Sequence, residues 1–406
     1  MEYCSQERLQ DKITTFSKFG ATAGGGITRL SLTKPALDAR AEFCTRCKKL
    51  GMDVKTDDMG NIYATVKGTE DLPAISMGSH LDSVVKGGNY DGVLGVLTAL
   101  ETAETIVTNH IQTRHPITVI VWTNEEGARF DPAMMSSGVI TGKFDRDTML
   151  AVKDNEGVTF GEALEASGYL GDAKNRLNPK DQAAYLELHI EQGPVLESEN
   201  LKIGVLEGVV GMVNYEIHTT GQADHAGTTP MKMRRDALHA AAELICLLYD
   251  KLSKIDDELV FTMGRIVAQP NVHTVIPDDV RFTLDARHKD PAVVQQVVEV
   301  IKGLPKELEK CEVFYKELWS RKTVHFHKPF VDIVEKNKNE LGYPGKRMYS
   351  GPGHDAQYVA DVLPTTMIFV PSIDGHSHCE EEHTPIDDCV KGANVLLNTV
   401  LDIDKL

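Results

Sequence analysis

Ile117-Thr118-Val119-Ile120-Val121-Trp122-Thr123-Asn124-Glu125-Glu126-Gly127 is a run of β-branched and apolar residues that stops abruptly at a pair of adjacent carboxylates. Six residues are too few for a core helix, and no polar residue alternates with the apolar ones. The pattern predicts a strand buried on both faces, the kind found in a parallel sheet covered by helices. Segments of the same character lie on either side of it. Asn61 to Val66, Pro73 to Gly78, Ala183 to Leu188 and Thr366 to Val370 read as strands, and Val93 to Val107 and Val390 to Leu401 as helices. Strands alternating with amphipathic segments give an α/β domain. Polar residues that follow such strands stand where open α/β sheets place their sites.

The middle of the chain has a different order. Val213 to Thr220 reads as a strand, Arg234 to Leu252 as a helix, and Leu259 to Val267 and Val280 to Ala286 as strands. A helix from Pro291 to Leu308 and a strand from Glu312 to Leu318 follow. This strand–helix–strand–strand–helix–strand order is ferredoxin-like. The expected organisation is a discontinuous catalytic domain, 1–210 plus 328–406, interrupted by an inserted α+β module at 211–327 suited to act as a lid.

With 406 residues, 41% of them hydrophobic and 25% charged, the chain has the composition of a globular protein of two domains or one enlarged domain. Its net charge of −17 disfavours nucleic acid and anionic lipid as partners. No run approaches the ~18 apolar residues of a membrane span. Met1 to Arg8 lacks the basic start and apolar core of a signal peptide. The seven cysteines are scattered, and Cys44-x-x-Cys47 falls in a helical pattern without a second pair, so reduced thiols and a cytoplasmic location are expected.

Four clusters carry chemistry. His80-Leu81-Asp82 is followed by Asp91 between glycines in Gly87-Gly88-Asn89-Tyr90-Asp91-Gly92. Asp82 is placed to orient the His80 imidazole, and Asp91 to reach two cations with its two oxygens. Glu125-Glu126 puts like charges into one small space, a conflict that a cation resolves if Glu126 ligates and Glu125 takes a proton from water. His189 in His189-Ile190-Glu191-Gln192-Gly193 and His378 in Asp374-Gly375-His376-Ser377-His378 complete the set. Each cluster alone also fits a solvated loop or a structural histidine. Together, His80, Asp91, Glu126, His189 and His378 form an N/O ligand set suited to zinc, manganese, cobalt or nickel.

These residues, with His225-Ala226-Gly227-Thr228-Thr229-Pro230-Met231, Arg234-Arg235-Asp236 and Ser350-Gly351-Pro352-Gly353-His354-Asp355-Ala356-Gln357, resemble the M20 metallopeptidase superfamily. Within it the chain is similar to the hydantoinase/carbamoylase group of amidases, over nearly its whole length. The resemblance implies a zinc-exopeptidase-like catalytic domain with a ferredoxin-like lid and dimerisation domain, and two divalent metal ions per subunit. One would be held by His80 and His189, the other by Glu126 and His378, with Asp91 bridging. Glu125 would be the general base and acid, Asp82 would orient His80, and His225 would stabilise the oxyanion, in its own subunit or the partner's. Arg287, Gln192, Thr274, Asn271 and Gly353 would face the substrate, Arg287 clamping its carboxylate.

The implied reaction cleaves the C–N bond of a ureido acid, allantoate or an N-carbamoyl-L-amino acid, releasing ammonia and CO2 in a cytoplasmic homodimer. The glycine-rich segment at 353–357 is slightly closer to allantoate amidohydrolases. Two departures stand out: Thr274 occupies the place of a usual Asn, and Cys379-Glu380 that of a small residue and Pro. A dipeptidase or aminoacylase using the same metals, or a non-catalytic protein keeping the fold, are the alternative readings.

Overall fold

The strand at Ile117–Trp122 forms, and every residue in it is buried. In the computed structural model, which describes residues 1–406, it is the fourth of fourteen strands. The chain divides into two compact units, Met1–Gly208 with His325–Leu406, and Val209–Val324.

The first unit is built on a nine-stranded mixed sheet. Its strands are β1 (Asp53–Thr56), β2 (Ile62–Val66), β3 (Ala74–His80), β4 (Ile117–Trp122), β5 (Gln182–Ile190) and β6 (Ile203–Val209), with later strands β12 (Val324–His325), β13 (Gly345–Ser350) and β14 (Thr365–Val370). The order is β1-β2-β4-β3-β5-β14-β6-β12, with β13 on β6. The four central strands β4, β3, β5 and β14 run parallel. Their C-terminal ends therefore open on one edge.

Helix α1 (Gln6–Phe16), α2 (Lys34–Lys49) and α3 (Val93–Thr108) belong to this unit. Thirteen of the sixteen residues of α3 are buried, which explains why its sequence is apolar on nearly every side. Gly95 lets it press against the sheet, because a Cβ there would meet the Leu188 carbonyl at 2.3 Å. From β3 the chain crosses through α3 to β4 on one side, and it later returns to β5 on the other. The end of β3 is thus the point where connections diverge, and a crevice forms there.

In the second unit, β7 (Gly211–Thr220), α4 (Ala237–Leu252), β8 (Val260–Gln269), β9 (Asp279–His288), α5 (Pro291–Lys302), β10 (Glu307–Leu308) and β11 (Cys311–Arg321) follow one another. The antiparallel sheet has the order β10-β11-β7-β9-β8, ferredoxin-like with a short added edge. Leu244, Leu248, Val297 and Ile301 of the helices pack with Ile217, Phe282 and Leu284 of the strands in a separate core. Two expected bounds shift. Asp236 caps α4 by accepting the N–H of Leu238 and His239, so the helix starts after it and not at Arg234. Gly303 ends α5 with Pro305 just beyond, so that helix stops six residues before Leu308.

Later helices of the first unit include α6 (Lys328–Glu340), α7 (Asp355–Val359) and α8 (Ile386–Ile403). All seven cysteines are free thiols, and no helix is long and apolar enough to cross a membrane.

Candidate metal centre

His80 is the last residue of β3, and His189 the last but one of β5, so both stand on the strand ends and not beyond them. The backbone presets their tautomers. Nδ1 of His80 lies 3.0 Å from the Asp82 carbonyl, and Nδ1 of His189 2.9 Å from the Ile190 carbonyl. A carbonyl only accepts, so each Nδ1 carries the proton and each Nε2 is turned into the site, where that of His189 also accepts the Gly92 N–H at 3.1 Å. Both Nε2 atoms face Asp91 Oδ1, at 3.8 and 3.1 Å.

Asp91 stands just before α3. On its other side, Oδ2 lies 3.1 Å from His378 Nε2, which is 3.4 Å from Glu126 Oε2. Two groups result, His80–Asp91–His189 and Asp91–Glu126–His378, and each gathers its ligand atoms within 4.8 Å. Asp91 belongs to both. A cavity of about 170 Å³ is lined by all five side chains together with Glu125, Gln192 and Gly353.

The electrostatics point to missing positive charge. Glu125 and Glu126 are pushed well above the usual carboxylate range by burial, and then by the negative charges around them, chiefly Asp355 for Glu125 and Asp91 for Glu126. Glu126 Oε1 is buried without a hydrogen-bond partner. Burial alone would lower His189, but its hydrogen bond to Asp91 overrides this and raises it to about 8. The donor set, the orphaned oxygen and the preset imidazoles fit divalent metal.

One expected contact does not form. The Asp82 carboxylate is 3.9 Å from His80 Nδ1, too far for a hydrogen bond. The chain turns so sharply after β3 that the Asp82 carbonyl reaches the ring first. Its carboxylate instead accepts the N–H groups of Glu125 and Glu126, at 3.3 and 3.2 Å. Asp82 therefore orients the imidazole through its main chain and the paired glutamates through its side chain. Gln192 donates to Asp91 Oδ2 at 2.8 Å.

Four non-glycine residues of this region, Asn124, Met134, Gln192 and His378, have φ between 51° and 60°. Such backbone costs about 1–2 kcal/mol per residue and is held at functional sites by the surrounding structure. Gly92, at φ 64°, has no such freedom to lose, since a Cβ would lie 2.2 Å from the His80 ring.

The other expected residues belong to the second unit. His225 is exposed on a loop that pairs with Val275, with the Ala226 N–H on the Thr274 carbonyl. The Gly227 N–H donates to His225 Nδ1 at 3.0 Å, which leaves Nε2–H as the outward donor of the neutral ring. Asn271 and Thr274 are exposed on the same loop pair. Arg287 lies on β9 with its guanidinium on both oxygens of Asp285, at 2.8 and 3.3 Å.

Sequence reasoning passed over Glu382, Ser377 and His354. Glu382 sits in the run Glu380-Glu381-Glu382, which reads as a solvated acidic stretch, and only the fold shows that its third member turns inward. The His354 ring lies 4.5 Å from that of His189, within a glycine-rich segment that carried no ligand signal of its own.

Residues 76–402 match the profile of peptidase family M20/M25/M40. The chain belongs to this family. It is 38% identical to the N-carbamoyl-L-amino-acid amidohydrolase of Rhizobium meliloti, over 98% of this chain and 96% of that one. It is 34% identical to the allantoate amidohydrolase of Escherichia coli K12, over 96% of each. Among solved structures, an amidase of the hydantoinase/carbamoylase family from Burkholderia multivorans superposes with a TM-score of 0.91 at 39% identity, covering 99% of this chain and 98% of that one. Family members of this amidohydrolase type are metal-dependent, in keeping with the ligand geometry.

Proposed function

We propose that the chain is a binuclear metal amidohydrolase that cleaves the C–N bond of a ureido acid, with release of ammonia and CO2. One observation carries the reading: two ligand groups share Asp91 while a third carboxylate, Glu125, stays outside both. The names of the relatives, allantoate and N-carbamoyl-L-amino-acid amidohydrolases, support the substrate class. A bound pair of divalent ions, zinc, manganese, cobalt or nickel, supplies Lewis-acid activation of water and carbonyl.

The chain's own residues do the rest. Glu125, aligned through the Asp82 carboxylate, accepts a proton from the attacking water at its carboxylate oxygen and delivers it to the leaving nitrogen. Gln192 steadies Asp91 through its amide. His225 offers Nε2–H to the developing oxyanion, a contact that strengthens as charge grows. Arg287 exchanges Asp285 for the substrate carboxylate, which suits its planar fork. Asn271, Thr274 and Gly353 contribute to the substrate-facing surface. The shorter Thr274 reaches less far than an Asn, which tunes the substrate and leaves the chemistry intact.

Residues 211–327 serve as lid and dimerisation module, with the exposed Phe314, Leu318 and Trp319 of β11 supporting a homodimer. The free cysteines support a cytoplasmic setting.

The test is ammonia release from metal-loaded protein offered allantoate, N-carbamoyl-L-amino acids, N-acetyl amino acids and dipeptides. Turnover of a ureido acid at least about 100-fold above the other two classes is expected, since sites built to hydrogen-bond a substrate group discriminate by this much or more. Preferential cleavage of acetyl amino acids or dipeptides would replace this reading with an aminoacylase or dipeptidase.

A further inference from the structure

Glu382 is 3% exposed, and both of its oxygens are used. Oε1 accepts the N–H of Tyr90 at 2.9 Å and of Asp91 at 3.0 Å. Oε2 accepts the Ser377 hydroxyl at 3.0 Å. One side chain thus ties the main chain of Asp91 to the residue preceding His378. Gly88 makes the room, since a Cβ there would lie 2.1 Å from Glu382 Oε1.

The turn that carries Glu382 is anchored on its outer side as well. The Glu382 N–H closes it on the Cys379 carbonyl. Glu380 accepts a hydrogen bond from Thr22 and packs over Gly24 and Gly26, where any Cβ would strike it. This accounts for Glu380 where relatives of this type were expected to carry a proline, because a cross-loop hydrogen bond supplies the stiffness. Glu381, between the two, is exposed and holds nothing.

The ligand that needs such anchoring is His378. It is half exposed, has φ 57°, and sits on a loop, whereas His80 and His189 are buried on central strands. Resting on the assignment of Asp91 and His378 as ligands, we propose that Glu382 is a positioning residue of the metal centre. It sets the spacing between the shared carboxylate and the exposed histidine, and so governs the Asp91–Glu126–His378 cation more than the His80–Asp91–His189 one. Glu382 touches neither substrate nor cation in this role.

The experiment measures cobalt stoichiometry, affinity and visible absorption for the wild-type chain and for Glu382→Ala, Glu382→Gln and Ser377→Ala, with Glu381→Ala as control. Glu382→Ala is expected to weaken one of two cobalt equivalents about 10–100-fold, as loss of outer hydrogen-bond partners of metal ligands does, and to leave the other in place. Glu382→Gln is expected to recover most of the affinity, because its carbonyl still accepts both N–H groups and its amide can donate to Ser377 Oγ. Ser377→Ala removes the Oε2 contact together with the hydroxyl's contacts to Asp91 Oδ2 at 3.2 Å and Gln192 Nε2 at 3.1 Å; it is expected to weaken the same equivalent and serves if Glu382→Ala does not fold.

Two unchanged equivalents in both Glu382→Ala and Ser377→Ala would overturn the proposal. So would Glu382→Gln as weak as Glu382→Ala, since charge and not hydrogen bonding would then act. A wild-type chain that binds no cobalt would overturn the ligand assignment itself, and the proposal with it.

Discussion

Glu125 and Glu126 are neighbours in sequence with different surroundings. The Glu126 carboxylate faces His378, and that of Glu125 faces His80 Nε2 at 3.4 Å without joining either ligand group. Glu125→Gln keeps the shape and removes the proton acceptor. Cation stoichiometry is expected to stay at the wild-type value while kcat for a ureido acid falls about 10²–10⁴-fold, the usual weight of a general base. Metal analysis beside steady-state kinetics checks this, and a variant that keeps most of its turnover would remove Glu125 from the role. The proposed ligands His80, Glu126, His189 and His378 were legible because each closes or follows a strand-like run, and Asp91 because it stands in a glycine-rich turn before a helix. The Asp82 contact was not, since spacing of two residues allows either its carbonyl or its carboxylate to reach the ring, and only the turn after β3 chooses. Glu382 was illegible for a related reason: the direction of a loop carboxylate depends on the register of a turn that sequence leaves open.

Among the elements, α1 shows how a buried charge can dock a helix. Lys12 is 1% exposed and bonds Glu101 Oε2 of α3 at 2.7 Å, while Arg8 forks onto the same carboxylate. Burial raises the Glu101 carboxyl, but the Arg8 hydrogen bond and the Lys12 charge outweigh it, and the net shift is downward. A carboxyl whose folded value is depressed stabilises fully above its unfolded value, near ~4.3, and loses that contribution as pH falls through the folded value. Lys12→Met leaves Glu101 with Arg8 as its one cation, beside the Ser5 N–H and the Thr105 hydroxyl, and is expected to cost about 3 kcal/mol at pH 7, the low end for breaking a buried pair. The gap in stability between wild type and variant should narrow between about pH 5 and pH 3. Denaturant unfolding at several pH values measures it, and a gap independent of pH would assign the loss to packing. None of this pairing was read from the sequence, because α1 and α3 are far apart in the chain and their charges carry no periodic signal. The strands were easier: β4 agrees residue for residue with its apolar run, since burial on both faces leaves nothing polar to blur its ends.

At the scale of the whole molecule, the chain interrupts an α/β unit with an α+β unit that has its own core. The ends of Val209–Val324 come together within that unit, since Arg321 Nε donates to the Val210 carbonyl at 3.1 Å and Gly211 lies against Thr323. A segment with adjoining ends, a complete sheet and two helices over one face has what independent folding requires. The ferredoxin-like order made this unit visible in the sequence, whereas its strand pairing, with β7 between β11 and β9, follows from tertiary packing that no local pattern encodes. Expressed alone, Val209–Val324 is expected to unfold cooperatively on heating, with an enthalpy of about 0.7 kcal/mol per residue near 60 °C. If Phe314, Leu318 and Trp319 mark a homodimer surface, the melting temperature of the fragment should rise with protein concentration, because association stabilises the folded state by mass action. Calorimetry over a hundredfold concentration range separates the outcomes. A broad transition without a heat peak would show that the unit depends on the rest of the chain, and a concentration-independent melt would remove this surface as a dimer contact.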